Sequence, residues 1–115
     1  MDEARQLFAA LFPSLDWGGA PWPRLAPLLR TRRVAAGTVV VAQGGVCRAL
    51  FGVLSGGIEA RFLAADGQSS VIEHAPPGLL FGLAAFVTGQ PSAYEALAPR
   101  PTRLLLVGEI GRAHV

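Results

Sequence analysis

The chain has 115 residues, 51% of them apolar and 16% charged, with a formal net charge of +2. That suits one packed domain and excludes a disordered chain. Every basic residue is arginine and none is lysine, so the basic character reports arginine usage and not a surface that tracks phosphates. The abundance of Ala, Arg, Gly and Pro with no asparagine points to a GC-rich, bacterial genome. The longest apolar run, Leu79 to Val87, is interrupted by Gly82 and is too short to cross a membrane. The start MDEAR lacks the basic and apolar blocks of a secretory signal. One cysteine, Cys47, excludes an internal disulfide, and a reducing cytoplasm is the expected setting.

In chain order, DEARQLFAALF (2–12) reads as a helix. Asp2 and Glu3 suit its positive end, and Leu7, Phe8, Leu11 and Phe12 share a face before Pro13 stops it. DWGGAPWPR (16–24) is too rich in Gly and Pro for a regular element and reads as a connector, with Trp17 and Trp22 pinning it to the core. Leu25, Leu28 and Leu29 suggest a helical turn or two, weakened by Pro27. Arg30, Arg32 and Arg33 form a basic cluster that reads as a solvated strand face.

From Arg32 onward the texture is of short strands between glycines. TVVVAQ (38–43) and RALFGVLS (48–55) are two of them. GIEARFLA (57–64) alternates, with Ile58, Ala60, Phe62 and Ala64 on one face and Glu59 and Arg61 on the other, as a half-buried strand does. Asp66-Gly67 supplies a hairpin turn, SSVIEHA returns as the partner strand, and TRLLLV (102–107) is a last strand. Short antiparallel strands at this spacing predict a sandwich or small barrel.

The glycine layout also resembles a known family. Gly37, Gly44, the segment LFGVLSGGIEA with Gly56, the Asp66-Gly67 hairpin, PGLLFG (77–82) and then Ser92-Ala93 are similar, in order, to the cyclic nucleotide-binding domain of CRP/FNR-type bacterial regulators. The resemblance implies a mainly β fold: a β-jelly roll, or double-stranded β-helix, with an N-terminal helical lead-in over residues 1–30 and the roll over 31–108. A short helix is implied inside its phosphate-binding cassette. In the family a Phe-Gly-Glu step opens that helix toward the cyclic phosphate, the glutamate holds the ribose, and an Arg-Ser or Arg-Thr pair holds the phosphate.

Carried onto this chain, the ligand-binding positions are Phe81, Gly82, Leu83, Ala84, Pro91, Ser92 and Ala93. Leu83 stands where the glutamate is expected and Pro91 where the arginine is expected. Leucine accepts no hydrogen bond, and proline carries neither charge nor a backbone N–H. Burying a ribose hydroxyl and a phosphate without partners costs about several kcal/mol. The cassette is therefore expected to be degenerate and to bind cyclic AMP weakly or not at all, and no cofactor is expected.

Other chemistry is thin. A cupin-type metal enzyme needs converging histidines, and the chain offers only His74, at a strand end, and His114. Cys47 reads as a small buried residue, and iron–sulfur sensing needs more cysteines. No nucleophile triad, carboxylate pair or phosphate-binding P-loop can be assembled, so a binding role and not an enzymatic one is expected.

The last seven residues, EIGRAHV, depart from the family pattern. They are the in-frame translation of GAGATCGGAAGAGCACACGTC, which resembles a common sequencing-library adapter. Residues 109–115 are accordingly expected to be a non-native tail. The chain is expected to be the sensory domain of a regulator, truncated before the dimerisation helix and helix-turn-helix that the family carries next. The implied partners are a small-molecule effector of unknown identity, DNA only through the missing C-terminal part, and a second copy in a full-length homodimer, with no membrane. A stand-alone interaction module of the same fold is the alternative.

Overall fold

The computed structural model describes residues 2–108; the segment read as a non-native tail, with His114, lies outside the described residues. The first helix, α1 (Asp2–Leu11), carries Asp2 and Glu3 in its first turn and buries Ala4, Leu7 and Phe8, the i, i+3, i+4 stripe of a helix docked on one side. Pro13 ends it, after Phe12 has donated a last helical bond to the Phe8 carbonyl at 2.8 Å. The connector then folds back. The Trp17 indole stacks on Phe8, ring centroids 5.4 Å apart, and its Nε1–H donates to the Phe12 carbonyl at 2.9 Å. Trp22 is buried beneath the Arg5 guanidinium, 5.0 Å from the ring centroid.

Two readings of this region need correction. The connector is not wholly irregular: Pro21–Leu25 forms a short helix, α2, running into a 3-10 turn at Ala26–Leu28. Pro21 sits at the first helical position, where its missing N–H costs nothing, so the proline that argued against a helix starts one. Leu29 is not helical but opens the first strand, β1 (Leu29–Val34), whose arginines are exposed as expected.

Seven further strands follow: β2 (Val39–Val41), β3 (Leu50–Ser55), β4 (Ile58–Leu63), β5 (Ser69–Ala75), β6 (Leu80–Phe81), β7 (Glu95–Leu97) and β8 (Thr102–Val107), with helix α3 (Leu83–Thr88) between β6 and β7. They make two four-stranded antiparallel sheets, in the orders β1-β8-β3-β6 and β2-β7-β4-β5, a jelly-roll arrangement. The strands β6 and β7 are too short to show a period, which is why periodicity missed them.

One core lies between the sheets, built on Val53, Ile58, Ala98, Leu104 and Leu106. A second lies outside the first sheet, where Leu7, Phe8, Trp17 and Trp22 cover Leu29 and Leu105. Strand β8 serves both: Leu104 and Leu105, on opposite faces, are each fully buried. Its Arg103 reaches to α1, where the guanidinium donates to both Glu3 carboxylate oxygens at 2.5 and 2.9 Å.

At the start of β8, Thr102 closes the junction with the β3–β4 turn. Its hydroxyl accepts from the Gly57 N–H at 3.2 Å and sits 2.8 Å from the Arg100 carbonyl. Gly56 beside it has φ +86°, and a Cβ there would lie 2.5 Å from the Pro101 carbonyl oxygen.

The β4–β5 hairpin turns at Asp66-Gly67 as read, with Ala64 N–H bonded to the Gln68 carbonyl at 2.8 Å. Its face is only partly covered, however. Ile58 is buried, but toward the turn Phe62, Leu63, Val71 and Ile72 are exposed. Among the described residues no helix is long and apolar enough to cross a membrane.

Three outcomes are expected in thermal and denaturant melts. Leu104→Ala should cost about 3 kcal/mol as an unfilled core cavity. Gly56→Ala should cost about 2 kcal/mol or more, since both its φ and the Pro101 carbonyl oppose a side chain; an unchanged midpoint for either would contradict the packing described. The Arg103 hydrogen bonds and charge hold the exposed Glu3 carboxyl below its usual pKa. A depressed carboxyl contributes stability above its unfolded pKa and loses it as pH falls through the folded one. Glu3→Gln should therefore lower Tm slightly at pH 7, and the difference should close below about pH 4.

Candidate functional site

The sheets part beneath the β4–β5 hairpin and leave a cavity of about 290 Å³. Its floor is Val41, Ile58, Ala60 and Ala96, from the second sheet. Its rim is Leu79, Leu80, Phe81, Gly82 and Leu83, from β6 and the start of α3, with Tyr94 opposite. Phe81 is held flat against Phe51, centroids 4.9 Å apart and planes 9° from parallel. Mostly apolar walls with a few placed polar groups are what a small-molecule site looks like.

The turn into α3 depends on Gly82. It sits at φ +81° as the helix N-cap, its carbonyl accepting from the Phe86 N–H at 3.0 Å, and a Cβ would approach the Cys47 sulfur to 3.0 Å. Gly89 ends the helix in the same left-handed conformation. Within α3, Ala85 and Phe86 pack on the core, whereas Leu83, at the cavity rim, and Val87 are 56% and 70% exposed. No charged residue stands in the helix.

Of the positions carried from the family pattern, Phe81, Gly82 and Leu83 line the cavity, and Ala84, Pro91, Ser92 and Ala93 lie outside its wall. Pro91 bridges to Val46, and Ser92 fastens to the β2–β3 turn through Gly44 N–H to the Ser92 carbonyl and Ser92 N–H to the Gly45 carbonyl, both 2.8 Å. The Ser92 hydroxyl is spent locally, donating to the Tyr94 carbonyl at 2.7 Å and accepting from the Tyr94 N–H at 3.4 Å.

The sequence reading missed the charge that the cavity does hold. Two lining residues are acidic, Glu73 and Glu95, and none is basic. Glu95 is paired across the strands with Arg61, on the face away from Ala96. Glu73 is paired with Ala60, on the cavity face, as is Ala75 with Ile58. A bulge on β5 decides this: Ala60 faces Glu73 but Arg61 faces Val71, so Ile72 is the extra residue. Alternation counted unbroken from Ser70 would aim Ile72 at the cavity and Glu73 away from it. Arg61 does not reach the cavity to balance the charge, because its guanidinium is held on Glu59 at 2.7 Å.

The other candidates are placed as follows. His74 is exposed on the outer face, Nδ1 3.9 Å from Glu59 Oε2, and no group of three or more His, Cys, Asp or Glu that could hold a metal occurs among the described residues. Cys47 is 1% exposed behind the Gly82 turn, its thiol donating to the Ala49 carbonyl at 3.0 Å.

The match to known proteins agrees with this architecture. The family model of the cyclic nucleotide-binding domain covers residues 31–109. The chain belongs to that family. Among solved structures, the regulatory domain of Toxoplasma gondii PKA with cAMP superposes with a TM-score of 0.82 at 22% identity, over 99% of this chain and 43% of that one. The Thermus thermophilus catabolite activator protein gives 0.73 at 23%, over 94% and 48%. The sensor domain of the Pseudomonas aeruginosa transcriptional regulator DNR gives 0.79 at 21%, over 96% and 75%. These identities carry the fold, and the chain spans less than half of the first two proteins. No curated protein matches the sequence.

Gly82→Ala should loosen the cassette turn and cost about 1–3 kcal/mol, and it should speed thiol labelling of Cys47 in the folded state. In the unaltered domain Cys47 should react with a thiol reagent at the rate of unfolding; rapid labelling under native conditions would contradict its burial.

Proposed function

We propose that this cyclic nucleotide-binding domain is the sensory, effector-binding domain of a bacterial CRP/FNR-type transcriptional regulator, and that its cassette is degenerate. In this reading the cavity takes a small effector other than cyclic AMP, and output to DNA passes through a dimerisation helix and helix-turn-helix that belong to the longer regulator. The domain binds and does not catalyse. The likeness to the catabolite activator and to the DNR sensor domain supports the regulator class.

The observation that carries the degenerate cassette is the charge of the wall. A cyclic nucleotide brings an anionic phosphate and ribose hydroxyls. Here it would meet Leu83 where a hydroxyl acceptor is needed, no arginine, and the Glu73 carboxylate. An unpaired anion facing a carboxylate in a mostly apolar cavity is strongly disfavoured. Pro91 does not line the wall, and it carries no charge in any case.

Titration calorimetry of the full chain with cyclic AMP and cyclic GMP should show no binding tighter than about 1 mM. Micromolar binding of either would overturn the reading. The double substitution Leu83→Glu with Pro91→Arg restores the expected ribose acceptor and phosphate donor, and Glu73→Gln added to it removes the opposing charge; affinity should rise in that order, by about tenfold or more at each step.

A further inference from the structure

We infer that the ligand of this cavity is an organic cation: a flat apolar body bearing a primary or secondary ammonium group that pairs with Glu73. The inference rests on the effector-binding reading above and names the chemical class of the effector. Three observations carry it. Glu73 lines the cavity at the β5 bulge, in register with Ala60 and next but one to Ala75. Its carboxylate has no hydrogen-bond or ion-pair partner among the described residues, whereas Glu59 is matched by Arg61 and Glu3 by Arg103. Of the other lining residues, Glu95 lies in register with Arg61, and the rest offer aliphatic surface with the rings of Phe81 and Tyr94 and no cationic side chain.

The selection follows from desolvation. Empty, the cavity is open enough for water to solvate Glu73, which is an exposed residue. A ligand that fills it displaces that water and leaves a carboxylate against apolar walls, a costly state unless the ligand returns a donor. An alcohol returns one hydrogen bond from a neutral donor and leaves the charge uncancelled. An ammonium returns a charge-assisted bond and cancels the charge, and aromatic rings on the wall, Phe81 and Tyr94, suit a cation better than an anion. A carboxylate or phosphate ligand returns nothing and adds repulsion. Shape therefore admits many small aromatic molecules, and Glu73 sorts them by charge. A metal ion is not the occupant, since one carboxylate gives too few ligands and no metal-binding cluster occurs among the described residues.

The test uses three near-isosteric indoles against the full chain by calorimetry: tryptamine, its neutral alcohol tryptophol, and the anion indole-3-propionate. Tryptamine should bind about tenfold or more tighter than tryptophol, and indole-3-propionate weakest. Glu73→Gln should bring tryptamine down to the tryptophol value and leave tryptophol unchanged. Glu73→Lys should reverse the order in favour of indole-3-propionate, a change that loss of structure would not produce, and both variants should keep the parent Tm within a few degrees because the residue is exposed. Equal affinity for the three indoles, no effect of Glu73→Gln, or no binding of any of them up to about 10 mM would overturn the inference. Cyclic AMP titrated in the same experiment separates the two ideas: its binding sinks the degenerate-cassette reading, whereas failure of the amines alone sinks only the cation assignment.

Discussion

The molecule depends on one strand being buried on both faces. Leu104 and Leu106 of β8 point into the space between the sheets and Leu105 points out of it, yet all three are inaccessible, because the N-terminal helices close over the outer face. Burying a leucine side chain stabilises by about 1.5–3 kcal/mol, so this short run supports both cores at once. Strands β1 and β3 pair to either side of β8. The lead-in is thus part of the packing of the roll, and the exposed Arg103–Glu3 pair adds a tie between β8 and α1.

With that sheet held rigid, the cavity is made by what does not pack. The outer part of the β4–β5 hairpin is left uncovered, with Phe62, Leu63, Val71 and Ile72 exposed while Ile58 is buried. Small side chains at Ala60, Ala75 and Ala96 then leave room where larger ones would fill the gap. Gly82 lets the chain turn tightly over Cys47 to form the rim. Packing determines the shape of the hole, while a handful of exposed side chains determine its chemistry, and the two can diverge. Here Phe81 and Gly82 keep their backbone geometry at the rim, while the charged lining residues are Glu73 and Glu95.

The same divergence explains why the cassette motif is an uneven guide. Phe81 and Gly82 hold their places because Phe81 stacks on Phe51 and Gly82 occupies a left-handed conformation, constraints that act whatever the ligand. Leu83 is under no such constraint, being more than half exposed. Ser92 is held by backbone pairing to Gly44 and Gly45, which serves the loop and not the cavity. Motif positions that carry backbone geometry thus say little about which molecule is bound.

The strands that alternate or run apolar between glycines, the helix stopped by Pro13 and the Asp66-Gly67 hairpin were legible from the residues, because each rests on local physics: period, φ preference and capping. The glycine order extended that reading to the jelly roll. Strands β6 and β7 and helix α2 were not legible, being too short to show a period and defined by pairing or docking with distant segments. The direction of Glu73 was hidden for a related reason. A one-residue bulge inverts which side chains face inward, and it is specified by the register of two paired strands and by the core they must cover. The sequence by itself therefore determined the architecture. Which charge looks into the cavity was decided only when β4 and β5 were paired over the core.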